Sequence, residues 1–201
     1  MLGYFVFRTF VSPLPRQYQL DFGEARWIEP PQFGPVAYFR KNIFLSAVPQ
    51  QAWLEVAATD NFDVLVNGGT VGNETHVKTR VAGIYDIKKR LKPGTNVIAA
   101  SIARTSYPGS AQLLVRGAVT EPGGKVTPII SDQNWRVTTK TGIVQGSEEW
   151  SSPGVDEALW PNAQRATLVE HPIYINWVDL NPLLLQLPPS GNWILGENAG
   201  R

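Results

Sequence analysis

Two histidines and two carboxylate pairs are the residues of this chain that are suited to acid–base catalysis. His76 lies in a polar stretch and His171 precedes a proline, and neither belongs to a recognisable nucleophile or base motif. The pairs at 148–149 and 156–157 are carboxylates, which glycoside hydrolysis uses. Adjacent residues of a strand, however, point to opposite faces. The sequence therefore predicts a protein that binds a ligand without catalysing a reaction.

Aromatic and polar residues between the predicted strands have the chemistry that a sugar requires. A sugar is recognised by an aromatic ring against its apolar face and by polar side chains that hydrogen-bond its hydroxyls. Tyr107 and Arg104 share one loop, and polar residues of another loop are their expected partners. The predicted carbohydrate-binding residues are Tyr107, Arg104, Asn73, Glu74, His76 and Trp150.

The segment that must position these residues, 60–103, has the pattern of antiparallel strands. Phe62, Val64 and Val66 alternate with other residues at period two. The Asn-Gly pair at 67–68 tolerates positive φ and predicts a tight reversal. The Pro-Gly pair at 93–94 predicts a second turn, which leads into a strand ending near residue 103.

The composition excludes several classes of partner. Hydrophobic residues make up 43% of the 201 residues and charged residues 17%, which is typical of a globular chain. The net charge of +1 gives no basis for nucleic-acid binding. No apolar run is long enough to span a membrane. With no cysteine, the chain has no disulfides and no thiolate metal site.

Strand patterns and Gly/Pro turns recur along most of the chain. Residues 1–23 are predicted to form a leading strand and a connector, and residues 24–180 to form the body of the protein. Residues 181–201 are expected to be an irregular extension rich in Pro and Leu. Short strands separated by such turns predict an all-β fold, an antiparallel β-sandwich or jelly roll.

Five ordered segments between about residues 25 and 163 resemble one known type of module. They are ARWI with AYFRKNIFL (25–28, 37–45), AATDNFDVLVNG (57–68), YDI with LKPGTNVIA (85–87, 91–99), SDQNWRV (131–137) and WSSPGVDEALWP (150–161). The order and content of these segments resemble the galactose-binding-like modules attached to bacterial α-L-rhamnosidases and β-galactosidases.

This resemblance implies a sandwich that binds sugar as a non-catalytic accessory domain, outside the cell, in the periplasm or at the cell surface. Modules of this fold often hold a structural Ca²⁺, for which Asp60 and Asn61 are the candidate ligands; a turn-capping role for this pair is the alternative. Trp160 matches a core position of the family. Phe39 and Phe44 are likewise expected in the core, each contributing roughly 2–3 kcal/mol if fully buried.

A structural role is the alternative to sugar binding. The aromatic strand at 4–11, or the tail at 183–193, is suited to docking on a neighbouring copy. The protein would then be an assembly subunit of an extracellular or cell-surface polymer, a homo-oligomer built through its terminal segments.

Overall fold

The computed structural model describes residues 17–20, 22–74, 82–104, 110–140, 148–167 and 173–176. Within these ranges there are thirteen β-strands, and short 3-10 turns lie at Lys88–Arg90 and Glu148–Ser151. The strands are β1 (Gln17–Leu20), β2 (Ile28–Glu29), β3 (Val36–Leu45), β4 (Gln51–Ala58), β5 (Asn61–Val66), β6 (Gly69–Glu74), β7 (Gly83–Asp86), β8 (Gly94–Ala103), β9 (Leu113–Thr120), β10 (Val126–Ile130), β11 (Arg136–Thr138), β12 (Gln164–Arg165) and β13 (Ile173–Asn176).

Two antiparallel sheets form the sandwich. One has the order β12, β2, β9, β4, β7, with β10 paired to β9 along the edge that β2 also occupies. The other has the order β11, β3, β8, β5, β6. This architecture confirms the predicted all-β antiparallel sandwich.

The core lies between the inner faces of the two sheets. On β3 it takes alternate residues, among them Ala37, Phe39 and Leu45, which are all fully buried. Trp135 is fully buried in the same cluster, and its indole N–H donates to the Ile130 carbonyl at 2.8 Å. Period-two alternation thus produces the inner faces that the sequence predicted.

Residues 148–163, which we call the cover, cross the outer face of the five-stranded sheet and end at Ala163, which is buried in the core. Trp150 and Trp160 pack there against Val97, Ala99 and Leu65, so two outward-facing side chains of β8, Val97 and Ala99, are also buried.

Backbone hydrogen bonds fix the cover at both sides of this sheet. The Gly68 amide donates to the Ser151 carbonyl at 3.1 Å, and the Val137 amide donates to the Pro161 carbonyl at 3.0 Å. The cover therefore crosses the sheet from the β5–β6 hairpin to β11.

Phe44 corrects one sequence-based expectation. It is 66% exposed and does not belong to the core, whereas Phe39 on the same strand is fully buried. The two residues are five positions apart on β3, so their side chains point to opposite faces. The structure confirms burial of Trp160, which is 1% exposed.

The predicted reversal at residues 67–68 is confirmed, and it defines one end of the sandwich. Asn67 and Gly68 have φ angles of 51° and 83°, as a two-residue hairpin turn requires. Asn67 Nδ2 donates to Asn96 Oδ1 and to the Arg90 carbonyl, both at 2.8 Å. Asn96 itself is fully buried. We call this the hairpin end and the opposite one the loop end.

β1 and β13 form a separate two-stranded sheet, with Gln17 opposite Asn176 and Leu20 opposite Ile173. The segments suggested for self-assembly, 4–11 and 183–193, lie outside the described residues, so assembly and the domain boundaries remain predictions. No helix in the described part of the chain is long and apolar enough to cross a membrane.

The contacts of the Glu121 carboxylate at the hairpin end are expected to be sensitive to acid. Its Oε2 accepts hydrogen bonds from the Ser46 hydroxyl (2.7 Å) and from the amides of Ser46 and Ala47 (2.6 and 2.8 Å), and its Oε1 lies 2.9 Å from Lys125 Nζ. Chiefly through the Ser46 hydroxyl, then through Lys125, these contacts lower the pKa of Glu121 from 4.5 to about 2.

Because the folded-state pKa is below the unfolded one, this stabilisation is complete above about pH 4.5 and is lost as the pH falls toward 2. We expect Glu121→Gln to lower the melting temperature at pH 7 and to approach the wild type between pH 4.5 and 2. Thermal unfolding followed by circular dichroism across this range is the measurement. If the melting temperatures of the wild type and of Glu121→Gln differ by the same amount at every pH down to 2, the lowered pKa is wrongly assigned to Glu121.

Candidate functional site

The candidate site lies at the loop end, where separate segments of the five-stranded sheet meet. β5 is antiparallel to both β6 and β8, so β6 and β8 run in the same direction. Asn73 and Glu74 end β6, and Arg104 directly follows β8. These residues therefore lie at the same end of the sheet. The strands β6 and β8 are two inter-strand spacings apart, about 10 Å, and Arg104 lies two residues further along β8 than the register position of Glu74.

The described members of the predicted sugar-binding set are partly solvent-accessible. Asn73 and Glu74 are exposed and Arg104 is half-buried. The Arg104 amide donates to the Pro35 carbonyl at 2.9 Å, which fixes the backbone beside the following loop. His76 and Tyr107 lie outside the described residues, so their role stays a prediction.

Trp150 lies apart from this group, in the cover. It is 8% exposed; its ring is stacked on Trp160, with centroids 6.5 Å apart, and meets Tyr38 edge-on at 5.1 Å. Protein side chains thus occupy the surroundings of this ring. We therefore leave Trp150 out of the loop-end site proposed below.

Asp60 and Asn61 lie at the start of β5, between the ends of β6 and β8. Asp60 is 6% exposed, and its Oδ1 accepts a hydrogen bond from the Asn61 amide at 3.2 Å. Side-chain oxygens are the donors that Ca²⁺ prefers, and further ligands would have to be carbonyls or water. Among the described residues, no group of three or more His, Asp or Glu side chains is placed to hold a metal. The calcium assignment stays a prediction.

Sequence reading missed three residues that the strand register places in one line with Asn73 across the sheet. Asp63 lies opposite Asn73, Ser101 opposite Asp63, and Tyr38 opposite Ser101. Their separation in sequence gives no sign of this proximity. Burial raises the pKa of the Tyr38 hydroxyl, which keeps this group a neutral hydrogen-bond donor at physiological pH.

The carboxylate pair at 156–157 takes part in structural contacts. Glu157 Oε2 lies 2.8 Å from Arg40 Nε, and Glu157 Oε1 accepts from Asn42 Nδ2 at 3.1 Å. Asp156 Oδ1 accepts from the Ala158 amide at 2.9 Å. Both carboxylates therefore contribute to the structure of the cover.

Comparison with known proteins identifies the class of module. No protein-family model matches the chain. An α-L-rhamnosidase from Formosa agariphila is 30% identical over 142 residues, a match that takes in 61% of this chain and 15% of the relative.

Two solved structures share the fold. The Streptomyces avermitilis α-L-rhamnosidase complexed with L-rhamnose has a TM-score of 0.62 at 20% identity, over 78% of this chain and 16% of that one. The Pleurotus ostreatus lectin has a TM-score of 0.62 at 25% identity, over 73% of this chain and 42% of that one.

The chain spans less than half of the length of each of these proteins. The similarities confirm the resemblance to α-L-rhamnosidase modules that was stated from the sequence. The class that the fold defines is an antiparallel β-sandwich similar to domains of α-L-rhamnosidases and to the lectin.

Proposed function

We propose that this chain is a non-catalytic carbohydrate-binding module that serves as an accessory domain of a glycoside hydrolase. The observation that carries the proposal is the placement of Asn73 and Glu74 at the end of β6, and of Arg104 directly after β8, at the same end of the sandwich. An amide, a carboxylate and a guanidinium together hydrogen-bond sugar hydroxyls as donors and acceptors. The shared fold with rhamnosidase domains and a lectin supports the same ligand class.

The non-catalytic part of the proposal is supported by the structural use of three described carboxylates, those of Glu29, Asp156 and Glu157. The pair at 156–157 holds the cover. Glu29 is 5% exposed and accepts hydrogen bonds from Gln112 and Gln164, at 3.0 and 3.3 Å. Carboxylates engaged in this way are poor candidates for proton transfer to a substrate.

L-rhamnose is the first sugar to test, because a rhamnosidase that shares this fold was solved in complex with it. From the similarity to bacterial α-L-rhamnosidases we also propose a location outside the cell, in the periplasm or at the cell surface. Ca²⁺ held by Asp60 and Asn61 is part of the proposal, and titrations repeated in EDTA test that part separately.

We expect Arg104→Ala to weaken sugar binding about tenfold, because a hydrogen bond from a charged group contributes about 1.5–3 kcal/mol. The ligand is chosen on a glycan array of neutral and acidic sugars that includes L-rhamnose, and affinity is then measured by calorimetry.

The matched control for Arg104 is Lys92→Ala, an exposed cation at the hairpin end, which is expected to leave affinity unchanged. Melting temperatures of both variants show whether the fold is preserved. If the wild-type chain binds no sugar on the array, with or without Ca²⁺, the proposed function is wrong.

A further inference from the structure

Four side chains form a line across the outer face of the five-stranded sheet. Tyr38 on β3, Ser101 on β8, Asp63 on β5 and Asn73 on β6 are successive register partners on neighbouring strands. Residues directly opposite one another point to the same face. Three inter-strand spacings give this line, which we call the outer-face row, a length of about 14 Å.

The outer-face row is open to solvent. Asp63 and Asn73 are exposed, and Tyr38 and Ser101 are half-buried. The Ser101 hydroxyl donates to Asp63 Oδ2 at 3.1 Å, which orients the carboxylate within the row. Toward the loop end the next residue of β8 on this face is Ala103, which is exposed and small enough to leave room above the sheet.

The cover borders the row on its other side. One step toward the hairpin end, the same face carries Ala99 and Leu65, which are buried under Trp150 and Trp160. The Trp150 ring also touches Tyr38 edge-on. The cover therefore stands above the outer face of the sheet, and the outer-face row lies directly along its edge.

The chemistry of the row selects among ligand classes. It offers a phenol ring, a hydroxyl, a carboxylate and an amide, which suits a ligand that has both hydroxyls and an apolar ring face. Its charged member is a carboxylate, which disfavours an anionic ligand. Three of the four strands, β3, β8 and β5, are hydrogen-bonded on both edges, which leaves them no free edge to which a polypeptide could add as a further strand.

We propose that the outer-face row binds an extended neutral oligosaccharide, with a sugar ring against Tyr38 and hydroxyls bonded to Asp63 and Asn73. This inference rests on the proposed function and extends it from a single sugar at the loop end to a chain running across the sheet. Asn73 ends β6 at the loop end, so it connects the two surfaces.

The test compares a polymer with its monomer on the full chain. The probes are L-rhamnose and a neutral α-linked rhamnan, measured by calorimetry and by affinity gel electrophoresis, respectively. We expect Asp63→Ala to weaken rhamnan binding about tenfold, as loss of charge-assisted hydrogen bonds predicts, and to leave L-rhamnose binding unchanged. Tyr38→Phe, which keeps the ring, is expected to weaken rhamnan binding less than Asp63→Ala.

Phe44→Ala is the matched control, because this exposed aromatic lies on the same strand and face as Tyr38 but beyond the cover. It is expected to bind rhamnan as the wild type does.

If Asp63→Ala binds rhamnan with wild-type affinity, the inference is wrong and the proposed function still stands. Equal weakening toward monomer and polymer would assign Asp63 to the loop-end site and would also overturn it. A wild-type chain that binds neither probe and no sugar on the array contradicts the proposed function, and the inference fails with it.

Discussion

Replacing Arg40 with alanine is expected to lower the free energy of unfolding by about 3 kcal/mol, because it breaks a buried ion pair. Arg40 is 1% exposed and lies on the outer face of β3 under the cover. Its Nε is 2.8 Å from Glu157 Oε2, its Nη1 donates to the Trp150 carbonyl at 2.9 Å, and its guanidinium lies 5.8 Å from the Trp160 ring centroid.

Several groups lose their partner together in Arg40→Ala. Burial lowers the pKa of Arg40, and the negative charge of Glu157 opposes this by favouring the charged guanidinium. Removing one of the two residues therefore leaves the other without its ion-pair partner. The Glu157 side chain is 26% exposed, so water replaces part of the interaction that it loses with Arg40. We therefore place the loss of stability at the low end of the usual range of about 3–5 kcal/mol. Detachment of the cover is expected to accompany the loss.

Urea denaturation measures the loss of stability, and limited proteolysis within residues 148–163 measures detachment of the cover. The control is Lys41→Ala, the neighbouring residue, whose 3.1 Å ion pair with Asp132 is partly exposed. That change is expected to cost less than about 1 kcal/mol. The combination Arg40→Met with Glu157→Gln should recover part of the loss. If Arg40→Ala costs no more than the control, the buried pair does not hold the cover.

Phe39→Ala is expected to lower the free energy of unfolding by about 3–5 kcal/mol, as large-to-small changes of buried aromatics do. Phe39 is fully buried between the sheets, where its loss leaves a cavity lined by core residues. Urea denaturation again gives the free energy, with a far-ultraviolet spectrum to show that the strands persist.

Phe44→Ala provides a stringent control for Phe39→Ala, because it removes the same side chain from the same strand. Phe44 is 66% exposed, and substitution of such a residue usually changes stability by no more than about 0.5 kcal/mol. Equal losses for Phe39 and Phe44 would mean that the inner and outer faces of β3 are assigned wrongly.

The predictable part of the fold is the part with local signals. The sequence predicts a strand that follows the Pro-Gly turn and ends near residue 103, and the structure has β8 at Gly94–Ala103. The Asn-Gly reversal is likewise confirmed by the φ angles of Asn67 and Gly68. Period-two alternation and turn chemistry act over a few residues, so a single sequence is enough to reveal them.

β10 was missed because a proline stands inside it. Pro128 lies in the middle of Val126–Ile130, opposite Ala118 of β9. A proline argues against a strand with neighbours on both sides, but β10 pairs with β9 alone among the described strands, and such an edge strand has one side on which a missing N–H breaks no ladder hydrogen bond.

The cover and most of the candidate site could not be predicted from the sequence, because the residues that contact each other there are far apart along the chain. Arg40 and Trp150 are 110 residues apart. The alternation along β8 predicts one apolar face and one of small residues, but it does not predict that Trp150 and Trp160 bury the second. Similarly, the sequence assigns Asn73 and Arg104 to separate loops. That both loops lie at the same end of the sandwich follows only from the order of the strands.

The pairing of β1 with β13 has a consequence for how such a unit is carried in longer polypeptides. The chain enters through residues 17–20 and leaves through 173–176, side by side on one two-stranded ribbon. A unit with adjacent entry and exit can be spliced into a surface loop of a host protein without forcing the host's two flanks apart. We therefore expect the segment from Gln17 to Asn176 to tolerate insertion, through this ribbon, into a surface loop of another scaffold.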